Sequence, residues 1–154
     1  MKHANRWVLV GLIAALGPLA GCSGAVKNSG GTSQGKTAPA QVEQIAPGSD
    51  IRRVTLTDSA AKRLGVQTGA VSEERSPRNK SPQKAVPYSA LLYDTHGKTW
   101  VYICPKTNVF VRTEVEVDFI KGSTVYLTKG PDVGTKVASV GVAELYGTET
   151  KFGG

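Results

Sequence analysis

The chain has 154 residues, with 19 Lys+Arg against 12 Asp+Glu and a formal net charge of +7. That length holds one domain, or one domain and a tail, and excludes a large multidomain enzyme. Charged residues at 20% and hydrophobic residues at 40% exclude a wholly disordered polyelectrolyte. Two cysteines cannot build a disulfide framework. With His3 and His96 as the only histidines and Met1 as the only methionine, no metal site is expected.

Lys2 and Arg6 open the chain, and an uncharged apolar run follows over residues 8–19. The run falls short of the roughly 20 apolar residues of a spanning helix and fits the core of an export signal. It ends Leu19-Ala20-Gly21-Cys22, small residues before a thiol. This ending resembles the lipobox of bacterial lipoproteins. The resemblance implies that residues 1–21 are a signal peptide, cut after Gly21. It also implies that the Cys22 sulfur carries a diacylglycerol and the new amino group is acylated. The alternative is an ordinary secretory signal with a chance cysteine. Two or three acyl chains, at about 0.8 kcal/mol per buried methylene, hold a protein durably to lipid. The expected location is the extracytoplasmic face of the cell membrane, periplasmic where the host has an outer membrane. The positive charge is spread along the chain without a basic–aromatic cluster, so no nucleic-acid partner is expected.

Residues 22–49 read as the lipidated cysteine and a flexible tether. Gly, Ser, Thr, Gln, Ala and Pro dominate there, and such a segment buries too little to offset its ordering entropy. Its span as a random coil is about 25–30 Å.

A folded domain is expected over residues 50–147, with a frayed tail at 148–154. Ile51, Val54 and Leu56 suggest a strand. Thr57, Asp58 and Ser59 offer caps for a short helix ending at Leu64, and Gly65 stands where a left-handed cap is wanted. Residues 66–71 read as a strand, and the polar stretch 72–84, with Pro77 and Pro82, as an exposed loop. From Ala85 onward the signals are all β. Strands are expected over 89–93 and 99–104, with turns at 94–97 and 105–108. The clearest strand starts at Val109. Val109, Val111, Thr113, Val115 and Val117 alternate with Phe110, Arg112, Glu114, Glu116 and Asp118. This period of two predicts a buried valine face and a wet opposite face. Lys121-Gly122 marks a turn, residues 124–128 a return strand, 130–134 a loop and 137–140 a last strand, with 141–146 closing the domain. The expected fold is all-β: a small antiparallel barrel or curled sheet of about six or seven strands with one short helix.

Catalytic constellations are missing. Ser89 and Ser139 lack a nucleophile elbow, and residues 130–134 lack the Gly-Lys-Ser/Thr of a phosphate loop. His96 beside Gly97 reads as turn punctuation. Glu114 and Glu116 could form an acid/base pair or bind a cation, but beside Arg112 they read as a solvated strand face. Cys104 is the one thiol left after lipidation, and no second thiol or histidine stands at ligand spacing. A non-catalytic binding or scaffold module without a cofactor is the reading these residues favour.

Three stretches carry a further resemblance: Val86-Pro87-Tyr88-Ser89-Ala90-Leu91-Leu92-Tyr93-Asp94 with Gly97-Lys98-Thr99-Trp100-Val101-Tyr102; Phe110-Val111-Arg112 with Val115-Glu116-Val117; and Gly134-Thr135-Lys136-Val137 running to Tyr146-Gly147. Their order resembles the C-terminal, membrane-proximal part of periplasmic adaptor subunits, also called membrane fusion proteins, of resistance-nodulation-division efflux pumps and related ABC exporters. Residues 54–57 with 64–66 resemble the start of the folded part of such adaptors. The lipoyl domain and α-helical hairpin that full adaptors carry have no counterpart, since only residues 72–84 stand in their place. The resemblance implies a partner, an efflux transporter of either class, and implies that the chain does not reach an outer-membrane channel by itself. The exposed strand face with Phe110, Arg112, Glu114 and Glu116 is the expected contact with a transporter or with a second copy. The rival reading is a surface lipoprotein that binds a small ligand or envelope component.

Overall fold

The computed structural model describes residues 38–151, so the expected signal peptide, Cys22 and the expected tether up to residue 37 lie outside the described residues. The elements are β1 (Ala40–Gln44), β2 (Arg52–Leu56), α1 (Asp58–Leu64), β3 (Gln67–Ala70), β4 (Ser72–Arg75), β5 (Pro82–Pro87), β6 (Leu92–Tyr93), β7 (Thr99–Lys106), β8 (Val109–Lys121), β9 (Thr124–Lys129), β10 (Lys136–Val140) and α2 (Val142–Lys151). A 3-10 turn over Tyr88–Ala90 precedes β6. Seven strands follow one path, β3-β10-β7-β8-β9-β5-β4, with β1 on β2, β2 on β8 and β6 on β7. All pairings are antiparallel, and the all-β curled sheet is the expected class.

β8 organises the sheet. One of its edges pairs with β7, from Lys106↔Val109 to Thr99↔Val115. The other edge is divided between two strands. Its first part pairs with β2, in the register Thr55↔Val109, Val54↔Phe110 and Arg53↔Val111. Its far part pairs with β9, from Glu116↔Lys129 to Lys121↔Thr124.

The two ends of the path, β3 and β4, are consecutive in the chain and joined through Val71 alone. One extended segment bends there, its first half on β10 and its second half on β5. The Val71 N–H donates to Thr135 O at 2.9 Å, and the Gly134 N–H donates to Val71 O at 2.8 Å. This corner wraps the sheet on itself, with the Val71 side chain inside.

The wrapped sheet has a core on each side. Val71, Val86, Ala90, Val101, Val115, Val125, Leu127 and Val137 form the inner core. Val54, Leu56, Ala60, Tyr102, Phe110, Ala138, Val142 and Leu145 form the second core, covered by the two helices and the β1–β2 hairpin. Adjacent residues such as Val101 and Tyr102, or Val137 and Ala138, face opposite cores, as the two-residue period of a strand requires.

Local chemistry sets the helix ends. Thr57 caps α1, its Oγ1 accepting from the Ala60 N–H at 3.2 Å. Gly65 ends α1 at φ 64, donating to Lys62 O at 3.1 Å. Gly141, at φ 83, precedes α2, and a Cβ there would lie 2.9 Å from Val66 Cγ2. Conformation and space both select glycine at that position.

Four expectations are corrected. Residues 72–84 are not a loop: β4 and β5 form a hairpin, and β5 is held from its other side by β9. Pro82 is tolerated as the first residue of its strand. The tether reading fails over Ala40–Gln44, where β1 pairs with β2 and Ala40 and Val42 pack on the second core. Residues 89–93 are a 3-10 turn and a two-residue strand rather than one strand. A second helix, α2, joins the one expected, and residues 148–151 belong to it rather than to a frayed tail. Among the described residues, no helix is long and apolar enough to cross a membrane.

Candidate functional site

Phe110, Arg112, Glu114 and Glu116 share one face of β8, up to the register shift after Glu116, but the fold divides them. Phe110 is 2% exposed and lies in the second core, and Arg112 is 7% exposed. The expectation that both stand on a free surface is therefore corrected. The cause is cover: β2 runs beside this end of β8, and α2 lies against β2 and the second core. Glu114 and Glu116 are exposed, as expected.

Arg112 is buried because it has partners. α2 places Val142, Leu145 and Glu149 on one buried face, a helical spacing of three and four. Glu149 is 1% exposed, and its Oε1 accepts from Arg112 Nε at 3.3 Å and from the Arg52 N–H at 3.1 Å. Its Oε2 accepts from the Tyr102 hydroxyl. Arg112 Nη2 also donates to Asp50 O at 3.4 Å. The guanidinium carbon lies 4.5 Å from the Trp100 ring centroid and 5.6 Å from that of Tyr146, within cation–π range. Burial, then the hydrogen bond to Glu149, pushes the Tyr102 hydroxyl far above its ordinary value. It stays protonated and donates to the carboxylate.

Trp100 is itself fixed from outside. Its Nε1–H donates to Asp94 Oδ2 at 3.0 Å, while Asp94 Oδ1 accepts from the His96 and Lys98 N–H groups at 2.8 and 2.9 Å. Burial would raise the Asp94 carboxyl, but these hydrogen bonds outweigh it and hold the group below the usual value. His96 contributes its backbone to this turn, in keeping with punctuation. A cleft of about 250 Å³ opens beside the cluster, lined in part by Asp50, Asp94, His96, Arg112 and Tyr146.

The exposed end of this face and the bulged stretch beyond it carry ion pairs. Lys98 meets Glu114 at 3.4 Å, Lys129 meets Glu116 at 3.3 Å, and Arg78 meets Asp118 at 3.0 Å. Such solvated pairs contribute at most about 1 kcal/mol each, so they are free to exchange partners. Among the described residues, no group of three His, Cys, Asp or Glu could hold a metal ion.

Sequence reasoning misses the Arg112–Glu149–Tyr102 cluster. Its one available signal is the spacing of Val142, Leu145 and Glu149, which puts an acid on the apolar face of a helix. Comparison with protein-family models, with curated proteins and with solved structures gives no match to this chain.

Proposed function

We propose that the chain is a lipid-anchored, non-catalytic, adaptor-like subunit that docks on an efflux transporter of the cytoplasmic membrane and assists export. The observation that carries this reading is the adjacency of the three adaptor-like stretches. Residues 86–102 run from β5 into β7, residues 110–117 lie in β8, and residues 134–147 span β10 and the start of α2. β7 pairs with both β8 and β10, so stretches separated in sequence form one packed unit. Glu114 and Glu116 are the part of the expected contact that faces water, and their lysine pairs can be exchanged for a partner's charges. Phe110 and Arg112 lie further along the same face, where they are covered.

The test is affinity purification of the detergent-extracted native protein, followed by mass spectrometry. A stoichiometric multi-spanning transporter is the expected companion, lost in the Glu114→Lys, Glu116→Lys variant. A partnerless protein would remove the docking reading. Cys22→Ala should release the protein from the membrane. Retention of that variant after a high-salt wash would remove the lipid anchor.

A further inference from the structure

A groove of about 580 Å³ lies between β3, β10 and the β7–β8 hairpin, lined by Val66, Thr68, Cys104, Lys106, Phe110 and Lys136 among others. That volume falls in the range of small-molecule sites. Part of its lining is apolar for a reason in the fold: Val66 and Cys104 are half-buried residues that pack against the second core, in which Phe110 is buried.

The walls are held in place. The β7–β8 register shifts between Ile103 and Lys106, so Cys104 and Pro105 depart from regular pairing and spread the hairpin. Asn108 closes the turn at φ 60, and its side-chain amide donates to Asp58 Oδ1 at the start of α1. The hairpin tip is thereby tied to α1, and β3 is held by β10.

The charged residues lining the groove are Lys106 and Lys136. Neither makes an ion pair among the described residues, whereas Lys84, Lys98 and Lys129 each meet a carboxylate. Burial pushes the Cys104 thiol up while the Lys136 ammonium pulls the other way, which puts thiol and ammonium in one small site. A small apolar patch beside two unpaired cations fits neither a metal ion nor a polyphosphate.

We propose that this groove binds a small amphipathic organic anion. Its apolar body lies on Val66 and Cys104, above the buried Phe110, and its carboxylate or sulfonate meets Lys106 and Lys136. The site is separate from the Glu114–Glu116 strip and stands or falls independently of docking.

Cys104 supplies the readout. The full chain is alkylated with iodoacetamide, and modification of the Cys104 peptide is followed by mass spectrometry, with 2-naphthoate or neutral 2-naphthamide present. Protection is taken as the ratio of rates with and without the probe, so a variant's own change in thiol reactivity drops out. Saturating 2-naphthoate should slow the reaction about tenfold, and 2-naphthamide should need at least about tenfold more probe for the same effect. Lys106→Gln with Lys136→Gln should erase the difference between the two probes. Both lysines are exposed, so the variant folds. Equal protection by the two probes in the unsubstituted chain, no protection by either, or an undiminished preference for 2-naphthoate in the double variant would each overturn the proposal.

Discussion

Arg112 and Glu114 stand two residues apart on one face of one strand, yet the first is 7% exposed and the second is in water. The opposite face is half-buried at Val109, Val111 and Thr113 and becomes fully buried at Val115. Alternation sets which residues share a side. It does not set which side is covered, because cover comes from elements elsewhere in the chain. Here β2 and the helices shelter one end of β8, and the inner core takes the other end from the reverse side.

The largest break in this comparison is Val115→Asp. It places an unpaired charge in the inner core, where Val115 is 2% exposed, and should cost more than about 4 kcal/mol, with loss of the folded state. A thermal melt unchanged from the parent would show that the facing is wrong.

Arg112→Met attacks the sheltered end. It leaves Glu149 buried without its cation and should cost about 3–5 kcal/mol by chemical denaturation. Adding Glu149→Leu should recover much of that loss. If the two losses instead add, the ion pair is not the link between them.

Asp94→Asn sharpens the comparison from outside the core. The folded Asp94 carboxyl lies below its ordinary value, so its contribution is present above the unfolded value of about 3.9 and is lost as pH falls through the folded one. The parent should melt higher than the variant at pH 6, and the gap should close below about pH 4. A gap independent of pH would assign the effect to packing rather than charge.

The smallest change is expected at the wet end. Glu114→Gln with Glu116→Gln should alter stability by less than about 1 kcal/mol per pair, even where docking is affected. A large loss would mean that these pairs hold the fold.

What is legible in the sequence follows the same distinction. Helix α1 is readable because Thr57 and Gly65 carry their own local chemistry. The β8–β9 hairpin is readable from alternation and Lys121-Gly122. α2 is not, since Gly147, Thr148 and Thr150 are poor helix formers and the helix is held by burial of Leu145 and Glu149. β1 and β4 are polar edge strands whose order comes from partners. At the site, alternation alone places Glu114 and Glu116 correctly. The burial of Phe110 and Arg112 depends on residues up to 149, beyond the reach of any local pattern.

Glu149 also ties the end of the described chain to its beginning. Its carboxylate meets groups 37, 47 and 97 residues earlier in the chain. A growing chain can pair β7 with β8 long before that acid emerges, but it then holds Arg112 without its counter-charge. The second core is therefore incomplete until α2 docks, since Val142, Leu145 and Glu149 come from that helix. Loss of the last helical turn would leave that core with an uncompensated cation, a defect that opens a fold locally.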